Sequence, residues 1–501
     1  MLLIQDIKLD INEDELELRN IIEKKLKTQV KSFEIYKKSL DARKKPIYVY
    51  SVLVSVDNED KYLRKDIIKY KKENLTPKYK DRDITCAIIG YGPSGIFSAY
   101  RLCQAGFKVK VFEKGKRIKQ REIDVDNFFK NGILDENSNV QFGEGGAGTF
   151  SDAKLTTRIK DKYIEYILDM LIKHGGKPSI KYEHHPHIGT DEIRKVISNI
   201  TEYLINNGCE FYFEEELTDL IIENNTIKKI ITNKNIYEID YCLLGIGHSA
   251  YKTICMLKQK GVYVEAKDIA IGFRVEHPQS LIDKNQTNNL INEPNEYLLR
   301  YKDDKGVYSF CMCPGGIVIP AMSDKATIVT NGMSYSSRDS KIANSAILIQ
   351  KPKEEFLDGF AYLKNIETNA YKYSDSYKAL SQNIKDFMNN ELNELIFKST
   401  YPLGTVLYNF NELFEKNELE ILKRALKDFD RKIPGFIENG IMVGPETRSS
   451  SPVRIKRNDA FESISTKHLY PMGEGSGYGG GIMSCALDGI RIANRIILNH
   501  E

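Results

Sequence analysis

The stretch TCAIIGYGPSGIFSAY, residues 85–100, decides the fold. An apolar strand at 85–89 runs through Gly90, Gly92 and Gly95 into a helix over 94–104, and a second apolar strand follows at 108–113. In this βαβ setting each glycine has a task. Gly90 permits the tight turn, Gly92 lets the backbone approach a pyrophosphate, and Gly95 lets helix and strand pack closely. The helix N-terminus then presents unpaired N–H groups and partial positive charge to an anion. The second strand ends in Glu113, where an acid accepts hydrogen bonds from ribose hydroxyls and favours a ribose without a 2′-phosphate.

The other end of the chain separates two cofactor classes. LYPMGEGSGYGGGIMSCALDGI, residues 469–490, has no counterpart in a simple NAD domain. In FAD proteins of the glutathione-reductase type, a late strand ends in Gly-Asp or Gly-Glu beside the ribityl chain. The helix after it aims its N-terminus at the flavin pyrimidine. Gly473 and Glu474 fill the first role here, and Gly479, Gly480, Gly481 and Ile482 open the helix. Such an N-terminus stabilises negative charge at flavin N1 and O2 on reduction.

Further segments carry a family resemblance. They are SLDAR (39–43), NVQFGEGGAGTFSDAKL (139–155), YSFCMCPGG (308–316), NGMSYSSR (331–338) and ETRSSSPVR (446–454). With the two glycine regions, they make the chain resemble the bacterial and plastid FAD-dependent dehydrogenases of largely unassigned substrate, related to glutathione-reductase-type and aminoacetone-oxidase-like flavoproteins. The resemblance spans nearly the whole chain and implies fold and non-covalent FAD rather than a reaction. It places the loop 143–152 at the cofactor, where backbone amides of Gly143, Gly145, Gly146 and Gly148 and the hydroxyls of Thr149 and Ser151 can wrap phosphate and flavin. The expected FAD site also takes in Pro93, Ser94, Lys114, Arg121, Asp152, Leu217 and Gly247.

A second glycine fingerprint stands at YCLLGIGHSA, 241–250, with Glu265 at the distance expected of a ribose acid. Taken alone it predicts an NAD(P) domain. However, 217–223, 226–232 and 236–239 alternate apolar and polar residues between Asn-rich turns, as a β-meander does. The expectation is therefore one continuous flavin domain, with NAD(P)H at most a transient reductant. In the middle of the chain, GFRVEHP (272–278) puts Arg274 and Glu276 on one strand face and His277, a candidate proton donor, on the other. Arg338, Arg448 and Arg454 are candidate anion clamps. Cys311 and Cys313 are packing residues, a redox pair or a reactive thiol, and His184, His185 and His187 lack the carboxylates that would complete a metal site. The catalytic candidates are His277, Arg274 and Arg448.

Composition sets the outer bounds. The 73 basic and 70 acidic residues nearly cancel to +3, so there is no global field for nucleic acid or membrane. Eight scattered cysteines without a CxxC pair argue against a disulfide framework or structural zinc. The N-terminus meets an acid at Asp6 and lacks a signal-peptide pattern, and no apolar run is long enough to span a bilayer. A cytosolic protein is expected. Its organisation reads as a small α+β, ferredoxin-like unit with a basic, Tyr-rich linker (1–80), a first part of an FAD-binding α/β Rossmann domain (81–264), an inserted mixed α/β substrate domain (265–440) and the returning C-terminal part (441–501). The function expected is FAD-dependent hydride transfer through flavin N5 with an unidentified small-molecule substrate. The rival readings are a flavin-dependent RNA-modifying enzyme using the N-terminal unit and the basic linker 61–82, and a non-catalytic flavin scaffold.

Overall fold

The protein is described by a computed structural model over residues 1–41, 45–183, 185–291 and 293–501. Ala42 and Arg43 of the SLDAR segment and His184 of the histidine cluster lie outside the described residues. The N-terminal unit is an antiparallel sheet ordered Ser32–Asp41, Ile47–Ser55, Leu2–Asp10, Ile67–Lys69. Helix Glu17–Leu26 lies against it, burying Leu18, Ile22 and Leu26, the four-residue spacing of one helix face. These residues close a small core with Leu2, Ile4, Ile7, Val52 and Val54. A short 3₁₀ turn at Glu59–Tyr62 stands where a second helix would complete a ferredoxin-like unit.

The linker then runs without regular structure along the next domain. Tyr70 donates to Glu165 at 2.8 Å, Lys72 pairs with Asp169, and the Arg101 guanidinium donates to the Leu75 carbonyl. It is a covering segment.

Five parallel strands form the next sheet, in the order Leu469–Pro471, Tyr241–Leu244, Thr85–Ile89, Lys108–Glu113, Glu210–Phe213. Both faces are covered, which is why these strands read as apolar runs and not as alternation. Helices Pro93–Gln104 and Ile482–Leu498 pack together on one face, closely enough that a Cβ at Gly489 would lie 2.2 Å from the Ser94 carbonyl oxygen. The meander Leu217–Glu223, Thr226–Thr232, Ile236–Glu238 leads into the strand Tyr241–Leu244. That strand pairs with both Thr85–Ile89 and Leu469–Pro471. The second fingerprint thus belongs to the same sheet as the first.

A seven-stranded mixed sheet forms the second large unit, ordered Arg300–Tyr301, Val307–Cys313, Ile342–Lys351, Ile269–Pro278, Ile441–Glu446, Ala379–Asn383, Thr405–Leu407. Helices Gly359–Ser374 and Lys416–Lys432 bury Leu363, Ala370, Ile421, Leu422 and Phe429 in its core. Strand Ile441–Glu446 lies between Ile269–Pro278 and Ala379–Asn383. The C-terminal return to the parallel sheet therefore begins after Glu446, a few residues beyond the boundary at 441 expected from the sequence.

Candidate functional site

A cleft with about 1260 Å³ of space, part of it open to solvent, lies where the C-terminal ends of the parallel strands face the second sheet. Ligands of open α/β sheets bind at this edge. Gly90 holds φ +88°, and a Cβ there would lie 2.3 Å from the Gly245 carbonyl oxygen, so the two glycine turns touch. Gly92 is different. A Cβ there would meet nothing nearer than the Gly146 Cα at 3.8 Å. Its backbone is close to cleft space, and helix Pro93–Gln104 starts beside it with no side-chain cap on its first N–H groups.

Glu113 is buried at the cleft wall. Its Oε1 accepts from the Gly115 and Gly143 N–H groups, each at 2.9 Å, and its Oε2 accepts from the Tyr91 N–H at 2.9 Å. A carboxylate has about four acceptor positions, so roughly one is left for a ribose hydroxyl. Glu113 therefore also orders the glycine loop.

Arg121 holds that loop from within. Its five N–H groups donate to the carbonyls of Asn139, Val140, Glu144 and Gly146 and to the Thr149 hydroxyl, at 2.7–3.0 Å. Burial pushes the guanidinium down to about 9, which leaves it charged at neutral pH. With every donor engaged, Arg121 is a staple of the loop and has no N–H left for a cofactor, contrary to its expected place among the FAD-site residues.

Of the other expected site residues, Gly90, Gly92, Pro93, Ser94, Gly146, Gly148, Ser151, Asp152, Gly247, Glu474, Gly480, Gly481 and Ile482 line the cleft. Gly95, Gly143, Gly145, Thr149, Gly473 and Gly479 sit behind that lining and shape it. Gly95, for example, would put a Cβ 2.1 Å from the Gly90 carbonyl oxygen. Lys114 lies over the Phe142 ring at 4.2 Å and 3.4 Å from Glu216. Leu217 is core, paired with Thr232 at the start of the meander.

The middle-domain candidates are placed differently from expectation. His277 is fully buried, with Nε2 2.8 Å from the Phe436 carbonyl oxygen, and burial pushes it down to about 4. It is neutral near pH 7 and outside the cleft, so it is no proton donor there. Arg274 engages all its donors, bidentate to Glu446 at 2.6 and 3.2 Å and otherwise to Cys311, Asn331 and Asn344. Arg448 does line the cleft. Its guanidinium, however, is consumed by Glu367, Asp324, Ser249 and Ser323. Arg338 is likewise paired with Asp152 at 2.8 Å and Glu296 at 3.1 Å, while Arg454 lies over the Tyr478 ring. Buried, fully paired guanidinium groups have no N–H groups to offer a substrate anion. The anion-clamp reading of Arg448 is overturned on that ground, whereas the buried Arg338 Nε has no partner within the protein.

Sequence reasoning passed over Lys154, His248 and Glu446, all in the cleft wall. Lys154 lies 2.9 Å from Glu296 and 3.6 Å from Asp152; burial opposes its charge, but these carboxylates outweigh it and raise the ammonium. Burial pushes the Glu446 carboxyl up to about 7 against the pull of Arg274. The Nε2 of His248 is buried without a partner, and its Nδ1 is 3.6 Å from Glu474. Lys154 and Glu446 belong to two of the segments quoted for the family resemblance, and His248 to the second fingerprint, which was the available signal. Glu265 sits on the strand Val264–Ala266, paired to Val453–Ile455 and 3.3 Å from Lys456, and does not line the cleft. Among the described residues no group of three His, Cys, Asp or Glu is placed to hold a metal ion, and no helix is long and apolar enough to cross a membrane.

Residues 268–449, which supply the second wall of this cleft, match the family described as FAD-dependent protein, C-terminal domain-like. Residues 1–55 match a domain of unknown function, DUF8436. An uncharacterized protein of Clostridium beijerinckii (strain ATCC 51743 / NCIMB 8052) is 40% identical over 99% of this chain and 98% of its own length. The chain belongs to that protein's family. Solved structures are far more distant. Glycine oxidase from Bacillus cereus ATCC 14579 has 12% identity and a TM-score of 0.33, covering 84% of this chain and 96% of that one. L-amino acid deaminase from Proteus vulgaris has 10% identity and a TM-score of 0.37, covering 86% and 93%. At that distance the site has to be read from its own residues.

Proposed function

We propose that the cleft binds FAD non-covalently and that the protein is an FAD-dependent oxidoreductase. One observation carries this reading: glycine segments at 90–95, 143–152 and 473–482, remote in sequence, meet around one cleft beside Glu113. The residues present fit the group. Gly92, Gly480 and Gly481 leave space that a side chain would fill, and the buried Nε2 of His248 has no partner in the protein. The match of residues 268–449 to an FAD-dependent family supports the same conclusion.

In this reading the first turn of Pro93–Gln104 binds the pyrophosphate, a contact worth about 0.3–1 kcal/mol per charge near a surface. Glu113 accepts an adenosine-ribose hydroxyl with its remaining lone pair. Helix Ile482–Leu498 directs its N-terminus at the pyrimidine end. When bound, the flavin supplies two-electron redox chemistry, with hydride exchanged at N5. Lys154 and Glu446 hold charge and proton at the facing wall. The substrate is a small molecule that enters beside His248, Ser249 and Arg448, which the cleft shares with a second chamber floored by Tyr251, Phe360 and Leu363. Any nicotinamide docks transiently. Tyr70 and Lys72 of the basic linker are tied to Glu165 and Asp169, which supports a small-molecule partner over RNA.

The test is direct. Purified protein is expected to be yellow and to release FAD on heating; FMN, or no flavin, in the supernatant rejects the reading. Anaerobic bleaching with NADH, NADPH and reduced ferredoxin then identifies the reductant.

A further inference from the structure

Strand Val307–Cys313 breaks register beside the cleft. Phe310 pairs with Ala346 and Cys313 with Asn344, so Cys311 and Met312 together face a single residue, Ser345. This is a β-bulge, a device that re-aims a side chain. Cys311 takes φ 46°, a left-handed conformation uncommon for a residue with a Cβ and costing about 1–3 kcal/mol. The result is a pair of thiols at the cleft wall. Cys311 lines the cleft together with Glu446, Gly480, Gly481 and Ile482, and Cys313 is fully buried behind it. The Cys313 thiol donates to the Cys311 carbonyl oxygen at 3.3 Å.

The surroundings favour a thiolate. The neighbouring Cys313 thiol, then Arg274 and Lys154, outweigh burial and Asp152 and pull Cys311 down to about 6. Arg274 is fixed against the Cys311 carbonyl at 2.8 Å. Cys86, Cys242 and Cys485 show the contrast: apolar burial pushes all three thiols up. A low thiol pKa, partial exposure and an adjacent second thiol are the features of a redox-active pair.

We propose that Cys311 and Cys313 are a redox-active dithiol that exchanges an electron pair with the flavin bound in this cleft. The proposal rests on the FAD reading above. In the oxidising direction a bond forms between the Cys311 and Cys313 sulfurs and the Cys313 S–H bond breaks. The two electrons and that proton pass to the oxidised isoalloxazine, and the negative charge moves from the Cys311 thiolate to the reduced ring. The reverse step cleaves the disulfide by attack at its sulfur. The protein would then hold one electron pair on the flavin and a second on the thiols.

The experiment is an anaerobic dithionite titration of holoenzyme oxidised with ferricyanide and desalted. Wild type is expected to consume two reducing equivalents, each an electron pair, per bound FAD before bleaching is complete. A long-wavelength charge-transfer band from the Cys311 thiolate should appear midway. Cys313→Ser and Cys311→Ser should consume one equivalent, and Cys103→Ser, at a thiol that does not line the cleft, should titrate as wild type. Differential alkylation of the wild type covers the case in which a variant fails to fold: the oxidised sample should yield a peptide with an internal Cys311–Cys313 disulfide, the reduced one two alkylated thiols. Flavin-loaded wild type that takes a single equivalent, or free thiols at both positions after oxidation, overturns the dithiol. Protein without flavin overturns the FAD reading instead.

Discussion

Gly90 and Gly92 stand two residues apart in the same turn and answer to different constraints. At Gly90 a side chain collides with the Gly245 carbonyl and the backbone is left-handed, so Gly90→Ala is expected to lower stability by ~3 kcal/mol or more, read in urea. At Gly92 a Cβ finds only ordinary contact with the chain, and further atoms enter the cleft. Gly92→Val should therefore keep its unfolding midpoint near wild type in the apo state while FAD occupancy falls at least tenfold. Unchanged flavin content would remove Gly92 from the site. His277 makes a separate prediction from its burial. Unfolded histidine titrates near 6.5 and native His277 near 4, so between those values the unfolded chain binds more protons. Stability attributable to this group is present above pH 6.5 and lost as pH falls towards 4, about 2 kcal/mol of it by pH 5. His277→Gln should flatten the pH 7 to pH 5 dependence of the urea midpoint by about that amount; an unchanged slope would show that His277 is protonated in the native state.

The element most open to misreading is the strand Tyr241–Leu244 with its GIGHSA turn. As a string it has every mark of a nucleotide fingerprint, down to Glu265. The meander before it was the legible counter-signal, because period-two alternation between Asn-rich turns is a local property. Pairing with Thr85–Ile89 and Leu469–Pro471 makes it a middle strand of the parallel sheet. Glu265 is drawn off to Lys456. Glu265→Ala should accordingly leave NADH and NADPH affinity, measured by calorimetry, within about twofold of wild type. Tight binding that is lost in the variant would instead restore a nicotinamide-ribose role. At the same scale, Arg121 is expected from the sequence to belong to the FAD site. The loop carbonyls and the Thr149 hydroxyl that use up its donors are 18 to 28 residues further on, and no local pattern announces them.

Across the whole molecule, the N-terminal sheet and helix close a core that shares no residue with the parallel-sheet core, and the linker after it runs along the second domain's surface. Deleting residues 1–69 is therefore expected to leave bound FAD per chain within about 20% of wild type, by absorbance of the purified protein. Apo protein from that deletion would show that the unit supports the cleft. By itself, the sequence determined the parallel βαβ start, the acid at its second strand, the glycine-rich return at the C-terminus and so the class of ligand. Those signals are local, since a tight turn, an apolar strand and a helix start are each written in a few consecutive residues. The tertiary structure alone decided which charged groups face the cleft. Arg274 and Glu446 meet across 172 residues, and Arg448 and Asp324 across 124. A buried guanidinium is available or spent according to the carboxylates that long-range packing brings to it, and a thiol is inert or reactive according to the bulge and cations around it. Composition and spacing carry no record of those encounters.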